Sequence, residues 1–102
     1  MQQIQIFLPL YNENGEAFSK HYYSSLKEDL TDKFGGITIY TRSPAIGFWK
    51  ENETKIVKDE IIIYEIMAES VDKDWWQRCR NGLEKLFRQD QIIIRTWKME
   101  LL

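Results

Sequence analysis

Apolar and polar residues alternate over the first ten positions of the chain. In an extended conformation, one side would carry Ile4, Ile6, Leu8 and Leu10, and the other would carry Gln3, Gln5, Phe7 and Pro9. A period of two residues is typical of a β-strand that buries one face. The segment therefore predicts a first strand, and the dipeptide Asn14-Gly15 predicts the turn that follows it.

Two later segments have the period of an α-helix. At about 100° per residue, the stretch from Glu16 to Phe34 collects these apolar residues on one broad side: Phe18, Tyr22, Tyr23, Leu26, Leu30 and Phe34. Gly35 and Gly36 follow at once, and glycine is the preferred residue at a left-handed helix C-terminus. A second helix is predicted over about Lys73 to Gln89, with Asp72 as its N-cap.

Three further segments have the composition of strands, namely GITIYTR, DEIIIYEIMAE and QIIIRTWKMEL. Ser43-Pro44 and Gly47 should break or bulge the second strand before it resumes at Phe48 and Trp49. Proline cannot donate to a strand ladder, and glycine weakens one. The residues ENET then predict the tip of a hairpin that leads into the third strand.

The predicted order of elements is β-α-β-β-α-β, which is the ferredoxin-like arrangement of an α+β protein. Right-handed crossovers then give a four-stranded antiparallel sheet in the order 4-1-3-2, with both helices on one face. The chain is short enough for a single domain, residues 1–102. One cysteine cannot ligate an iron–sulfur cluster, so the fold predicts no such chemistry here.

The segment SVDKDWWQRCR, residues 70–80, places two tryptophans at the start of the second helix. Val71 and Trp76 stand in the positions of a hydrophobic staple, which fixes how the chain enters a helix. Trp75 and Trp76 both fall in the apolar sector of the helix, so we predict that both belong to the core. Trp75 lies at the edge of that sector, where its indole N–H could reach the rim of a groove, and it is therefore also a candidate ligand contact.

Charge and composition narrow the classes of partner that the protein can bind. The formal net charge is -2 and the pI is about 5.4, so no overall positive field attracts a phosphate backbone, and nucleic acid is disfavoured as a partner. The amino terminus lacks the layout of a signal peptide, and no apolar run approaches the roughly 18 residues of a spanning helix. We therefore expect a cytoplasmic protein without a membrane partner.

Metal and cofactor chemistry has little support in the sequence. His21 is the only histidine and Cys79 the only cysteine, so the usual ligand spacings of a transition-metal site are missing. Gly35-Gly36 leads out of a helix, whereas a phosphate-binding glycine loop leads into one. We predict no metal and no cofactor.

The sheet face that the helices leave uncovered is the most informative feature. If the alternate residues of each strand face the helices, the opposite face carries Phe7, Tyr40, Ile61, Ile63, Met67, Ile93, Trp97 and Met99, interrupted by Gln5, Arg42, Glu65 and Arg95. A monomer would expose all of them. Such a mixture is typical of a subunit interface or a ligand site, and we predict a homodimer formed sheet against sheet.

Three charged residues on this open face have different prospects of pairing. Arg42 on the second strand can pair with Glu65 on the neighbouring third strand if the registers of the two strands align. Arg95 on the fourth strand lies two strands from Glu65, so it needs another acid, a partner subunit's carboxylate or a bound anion. The hairpin segment SPAIGFWKENETK should form a projecting arm that packs on a neighbouring subunit through Trp49.

Several short motifs, KFGGIT, SPAIGFW, DEIIIYEIM, DKDWW and LFRQ, resemble a pattern in small bacterial proteins that have ferredoxin-like folds and no assigned function. The likeness covers residues 33–95. The architecture is more remotely similar to that of dimeric α/β-barrel proteins, which include small monooxygenases and haem-degrading enzymes. The resemblance implies the fold and implies no reaction. Acylphosphatases share the topology, but LPLYNENGEAF lacks the arginine of their phosphate loop.

Three functions follow as hypotheses. The leading one is a non-catalytic homodimeric module that binds a small molecule or a protein partner. The alternative is a dimeric α/β-barrel enzyme acting on an aromatic or otherwise flat organic substrate between the sheet and the helices, with Glu65 as the candidate acid. A third is single-stranded RNA binding, with Phe7, Tyr40 and Trp97 as stacking platforms, which the acidic pI opposes.

Overall fold

The structure is a computed structural model that describes residues 1–53 and 55–102. Within the strands, the side chains of residues 41–47, 49, 51 and 55–59 lie outside the described part, and only the strand pairing is given for them. The elements are β1 (Gln2–Pro9), α1 (Lys20–Phe34), β2 (Thr38–Asn52), β3 (Lys55–Ala68), α2 (Lys73–Leu86) and β4 (Ile94–Lys98).

The four strands form one antiparallel sheet in the order β2-β3-β1-β4. This is the predicted order 4-1-3-2 read from the opposite edge, so the ferredoxin-like α+β fold is confirmed. β1 pairs with β3 from Gln2↔Ala68 to Pro9↔Ile61, and with β4 from Gln2↔Lys98 to Ile6↔Ile94. The central position of β1 places its side chains between those of β3 and β4.

Helix α1 begins at Lys20, four residues later than the predicted Glu16. The Asn12 side chain accepts hydrogen bonds from two backbone N–H groups of the following turn, each 2.9 Å long. Gly15 adopts a φ of 78° there, which is a left-handed conformation. The Ser19 side chain then caps the helix N-terminus. The turn residues therefore satisfy their own backbone groups, which keeps them out of the helix.

The helix ends are set by local backbone geometry. Gly35 is the left-handed C-terminal residue of α1, with a φ of 83°, as predicted. Helix α2 ends at Leu86 and is therefore shorter than the predicted span to Gln89. Phe87 is its C-cap, and Arg88 has a φ of 54°, which no α-helix can continue through.

The final strand is also shorter than predicted, beginning at Ile94 rather than Gln91. The Ile92 N–H donates to a carboxylate oxygen of Glu84 at 2.9 Å, so this group bonds to α2 instead of to a neighbouring strand. The Ile92 side chain is buried in the core. The chain is thereby held against the helix before it enters the sheet.

The β2–β3 hairpin extends well beyond the rest of the sheet. Its register shifts between Tyr40↔Ile63 and Ala45↔Ile61, which confirms the predicted irregularity around Ser43-Pro44. Asn52 pairs with Lys55 at the tip, as the ENET motif predicts. Because β1 ends at Pro9, the pairs beyond Ile61 have no third strand beside them. The hairpin therefore forms the predicted projecting arm.

The core fills the space between the sheet and the two helices. Its buried residues are Ile4, Ile6, Leu8, Leu26, Leu30, Tyr64, Ile66, Ala68, Trp76, Leu83, Phe87 and Ile92. Phe87 is fully buried, and its ring lies 5.0, 5.6 and 5.5 Å from the rings of Phe18, Tyr22 and Tyr23. These contacts join the C-terminal end of α2 to the start of α1.

The tryptophan pair belongs to this core, as predicted. Trp76 is buried and stacks on Phe34 with ring centroids 5.5 Å apart, and Trp75 meets Trp76 edge-on at 4.8 Å. Lys33 Nζ lies 4.6 Å from the Trp75 ring centroid, a cation–π contact. Asp72 caps the helix by accepting the Trp75 N–H at 3.1 Å. The role of Trp75 at a groove rim stays a prediction.

Candidate functional site

The strand pairing confirms which side of the sheet faces the helices. Ile4 lies opposite Ile66, and Ile6 lies opposite Tyr64, and all four are buried against the helices. The residues between them point to the other side, which we call the open face. It carries Gln5, opposite Glu65 on β3 and opposite Arg95 on β4.

A continuous row of hydrogen bonds crosses the open face. The Tyr40 hydroxyl donates to Glu65 Oε2 at 2.8 Å. Gln5 Nε2 donates to the other carboxylate oxygen, Glu65 Oε1, and Arg95 Nε donates to Gln5 Oε1 at 2.9 Å. The hydrogen bond to Glu65, together with the negative charge of that carboxylate, raises the pKa of Tyr40 above its usual value. Gln5 thus connects the Glu65 carboxylate to the Arg95 guanidinium, which lie two strands apart.

Arg95 has aromatic neighbours as well as this hydrogen bond. Its guanidinium carbon lies 4.8 Å from the ring centroid of Phe7 and 5.6 Å from that of Trp97. Among the described residues, no carboxylate comes within salt-bridge distance of it. Its Nη atoms, which are the bidentate end of the guanidinium, bond to no other described side chain.

The predicted partners of this row are only partly observed. Tyr40, Glu65, Arg95 and Trp97 all lie on the open face, as the sequence indicated. The side chains of Arg42 and Trp49 lie outside the described residues, so the Arg42–Glu65 pair and the subunit contact of Trp49 stay predictions. Sequence reasoning missed the bridging role of Gln5, which follows only from the register that sets Glu65, Gln5 and Arg95 side by side.

Apolar side chains surround the row. Tyr40, Met67 and Trp97 are 48%, 50% and 41% exposed. The expectation that a monomer exposes every apolar residue of this face was wrong for Ile61, which is buried. Phe7, Ile63, Ile93 and Met99 are half-buried. The open face is therefore a mainly apolar surface with one polar row across its middle and Gln3 beside that row.

Glu65 lies on the side of the sheet away from the helices. The space between the sheet and the helices is occupied by the core, including the fully buried Leu30 and Phe87. A substrate that reacts with Glu65 would therefore have to lie on the open face, and not between the sheet and the helices as the enzyme hypothesis supposed.

A cleft of about 870 Å³ opens at the end of the sheet where β1 stops. Its walls are the turn between β1 and α1, the segment that joins α2 to β4, and part of the β2–β3 hairpin, which contributes Lys50 and Ile61. Its aromatic lining includes Phe7, Tyr11, Phe18 and Tyr22, and its polar lining includes Asn12, Ser19, Arg88, Gln89 and Asp90. Because Phe7 and Ile93 also belong to the open face, the cleft borders that face directly.

A smaller groove of about 250 Å³ lies between the two helices, beside His21 and Asp29. His21 is exposed, as its place outside the apolar stripe predicts. Burial, with a smaller contribution from the negative charge of Asp29, raises the pKa of Cys79 to about 11. Over the described part of the chain, no group of three metal-binding side chains forms a candidate cation site.

Comparisons with known proteins support the fold. No family model and no curated protein matches the chain. Among solved structures, a phage SAM lyase in complex with S-methyl-5'-thioadenosine matches with a TM-score of 0.66 and 13% identity, covering 95% of this chain and 80% of that one. A phage SAM lyase in its apo state matches with a TM-score of 0.61 and 12% identity, covering 94% and 78%.

These neighbours establish the class of fold and nothing finer, because identity at this level is compatible with many functions. The chain is a ferredoxin-like α+β protein, so the resemblance predicted from its motifs is confirmed at the level of the fold. Neither described helix is long and apolar enough to cross a membrane.

Proposed function

We propose that the protein is a homodimeric module that binds a small organic molecule, with the open face as its subunit interface. The observation that carries the proposal is the apolar open face, on which Tyr40, Met67 and Trp97 remain exposed around a single polar row. An exposed apolar surface interrupted by a few polar groups is typical of an interaction site.

The size of the open face is compatible with a dimer. Four strands spaced about 4.8 Å apart, of which roughly six residues each lie side by side at roughly 3.4 Å per residue, cover about 400 Å² in projection. A stable interface buries about 800 Å² of accessible surface on each partner, and accessible surface exceeds projected area. Most of the face, and not a corner of it, would therefore be used. The projecting β2–β3 hairpin, on which Phe48 is exposed, could add further contact.

The end cleft supports the binding of a small molecule. Its volume lies within the range of about 300–1,000 Å³ that is usual for ligand sites. Tyr11 and Phe18 offer aromatic surfaces, while Asn12 and Asp90 offer polar groups that could orient a ligand. A second copy placed on the open face would stand beside Phe7 at the mouth of the cleft. Dimerisation would then help to enclose the ligand.

Sedimentation equilibrium tests the interface with a matched pair of variants. Trp97 on the open face and Leu86 on α2 are each 41% exposed. We expect the wild-type protein to approach twice 12.3 kDa at micromolar concentration. Trp97→Lys should shift the mass toward the monomer, whereas Leu86→Lys should leave it unchanged. A wild-type monomer at every concentration, or equal effects of the two substitutions, would contradict the proposal.

A second candidate function is an enzyme that acts on a SAM-related compound. It is favoured by the phage SAM lyase neighbour, whose structure contains S-methyl-5'-thioadenosine and overlaps 95% of this chain. The flat purine of such a ligand would suit the aromatic lining of the end cleft. Binding is the first property to measure.

Thermal stabilisation by S-methyl-5'-thioadenosine and by SAM tests this candidate. Tyr11 in the cleft is 47% exposed and Tyr40 on the open face is 48% exposed, which makes them a matched pair. If the cleft is the site, Tyr11→Ala should reduce the stabilisation and Tyr40→Ala should not. Incubation with SAM, followed by detection of S-methyl-5'-thioadenosine, then tests for turnover. The absence of any stabilisation at millimolar ligand would argue against this function.

A further inference from the structure

Charges of opposite sign flank the middle of the open face. Glu65 on β3 and Arg95 on β4 each lie directly beside Gln5 on β1, so Gln5 stands midway between them. Neighbouring strands are about 4.8 Å apart, which separates the backbones of Glu65 and Arg95 by roughly 10 Å. Gln5 bonds to both and holds them in one row perpendicular to the strands.

Among the described side chains, both charged groups retain unused hydrogen-bonding capacity. The Glu65 carboxylate accepts one bond from Tyr40 and one from Gln5, whereas a carboxylate has about four acceptor positions. Arg95 uses Nε toward Gln5, and its Nη groups bond to no other described side chain. The remaining donors of Arg95 therefore match the remaining acceptors of Glu65, but within one chain both groups bond to Gln5, which stands between them, and not to each other.

Two sheets that pack face to face with aligned strands can be related by a two-fold axis in either of two directions. An axis across the strands would place Glu65 over Glu65 and Arg95 over Arg95, which is repulsive. An axis along β1 and above Gln5 would exchange the two sides of the sheet. β3 of one copy would then lie over β4 of the other, and opposite charges would face each other twice.

The rows on either side of Gln5 obey the same symmetry. Gln3 pairs with Met67 on β3 and with Trp97 on β4, so an axis along β1 would bring each Trp97 over a Met67 of the partner subunit. A methionine sulfur against an aromatic ring is a favourable contact. In the row of Phe7, the same operation would bring Ile63 over Ile93 of the partner subunit. The charged residues and the apolar residues of the open face therefore favour the same two-fold axis, which runs along β1.

Resting on the homodimer proposed above, we infer that the second copy is related by a two-fold axis along β1. Glu65 of each copy then binds Arg95 of the partner subunit. Gln5 fixes both side chains in position before the copies meet, which reduces the entropy lost on association. The stacking of Arg95 on Phe7 and Trp97 keeps the guanidinium extended over the face.

Charge reversal tests this pairing. Glu65→Lys gives a chain with two positive groups in the row, and Arg95→Glu gives a chain with two negative groups. Each variant alone should dimerise at least about tenfold more weakly than wild type, because like charges face each other. An equimolar mixture should recover dimers with an apparent Kd within about threefold of wild type. Circular dichroism confirms that each variant is folded.

Two controls separate this pairing from general charge effects. Glu28→Lys and Lys27→Glu change exposed residues of α1 and should leave the dimer unchanged, alone or mixed. The neutral variant Glu65→Gln should weaken the dimer. Tighter association of Glu65→Gln would show that like charges face each other and would overturn the inferred axis.

The outcomes also separate the inference from the proposed function. A wild-type protein that is monomeric at every concentration would contradict both the inferred pairing and the homodimer. A wild-type dimer whose Kd is unaffected by Glu65→Lys and by Arg95→Glu removes the inferred pairing and leaves the homodimer. The pairing is supported if each charge-reversal variant dimerises weakly alone, if the mixture of the two recovers the dimer, and if Glu65→Gln dimerises more weakly than wild type.

Discussion

Replacing Gln5 with methionine should lower the stability of the monomer, because it removes the centre of the polar row. Gln5 is a buried polar residue whose side chain bonds to Glu65 and to Arg95. A hydrogen bond to a charged group contributes about 1.5–3 kcal/mol. Arg95 is exposed and Glu65 is half-buried, so water can replace part of each bond. We therefore expect a loss of about 1–3 kcal/mol in the free energy of unfolding.

Urea unfolding measures this loss, and Gln3→Met is the matched control. Gln3 lies on the same strand and the same face, and its side chain makes no hydrogen bond with another described residue. With a slope of about 1–3 kcal/mol per M, Gln5→Met should lower the midpoint by roughly 1 M. Gln3→Met should shift it by much less. The measurement belongs at the lowest practical concentration, because dimerisation also stabilises the folded chain. Equal midpoints for the two variants would refute the reasoning.

Three other predictions concern single residues. Burial, together with Tyr64 and Tyr11, raises the pKa of Tyr23 to about 12. The stability that the neutral Tyr23 hydroxyl contributes is therefore present below about pH 10 and is lost as the pH rises toward about 12. Alkaline unfolding curves should show a smaller loss of stability for Tyr23→Phe than for wild type. Because burial raises the pKa of Cys79 to about 11, a thiol reagent at neutral pH should label it much more slowly in the native protein than in urea; equal rates would contradict this. Asp72→Ala should lower the unfolding free energy by about 0.5–2 kcal/mol through loss of the α2 cap, whereas Asp72→Asn should cost less.

The arrangement of the fold could be predicted because each element carries its own periodic pattern. The alternation of Ile4, Ile6 and Leu8 identified both β1 and its buried face, and Gly35 marked the end of α1. The helix and strand boundaries that were predicted wrongly depend on single polar contacts. The Asn12 side chain delayed the start of α1, and the Glu84 carboxylate delayed the start of β4. Hydrophobic periodicity carries no signal for such contacts.

The sequence predicted the open face of the candidate site but not the row of hydrogen bonds that crosses it. Alternation placed Glu65, Arg95 and Trp97 on one face, since the side of a strand follows from parity alone. The link through Gln5 depends on the register of three strands, and periodicity leaves that register open. The sequence does contain one signal, a glutamine in the middle of the apolar strand β1. A buried polar side chain requires partners, and its cross-strand neighbours are where they were found.

The end cleft was not predicted at all. Its walls include the β1–α1 turn and the α2–β4 connection, which lie far apart in the sequence. Tyr11 and Arg88 meet the same space only because the crossover topology brings both connections to one end of the sheet. Sites of this kind depend on tertiary structure, so a linear pattern does not reveal them.

The most direct test of the account is an isotope-filtered NMR experiment on an equimolar mixture of labelled and unlabelled wild-type protein. This experiment detects only contacts between subunits. The account predicts nuclear Overhauser effects between the Trp97 ring of one subunit and the Met67 methyl group of the partner subunit, because the open faces pack about an axis along β1. Filtered signals from Leu86 on α2 instead of Trp97, or none in a sample whose mass is dimeric, would contradict it.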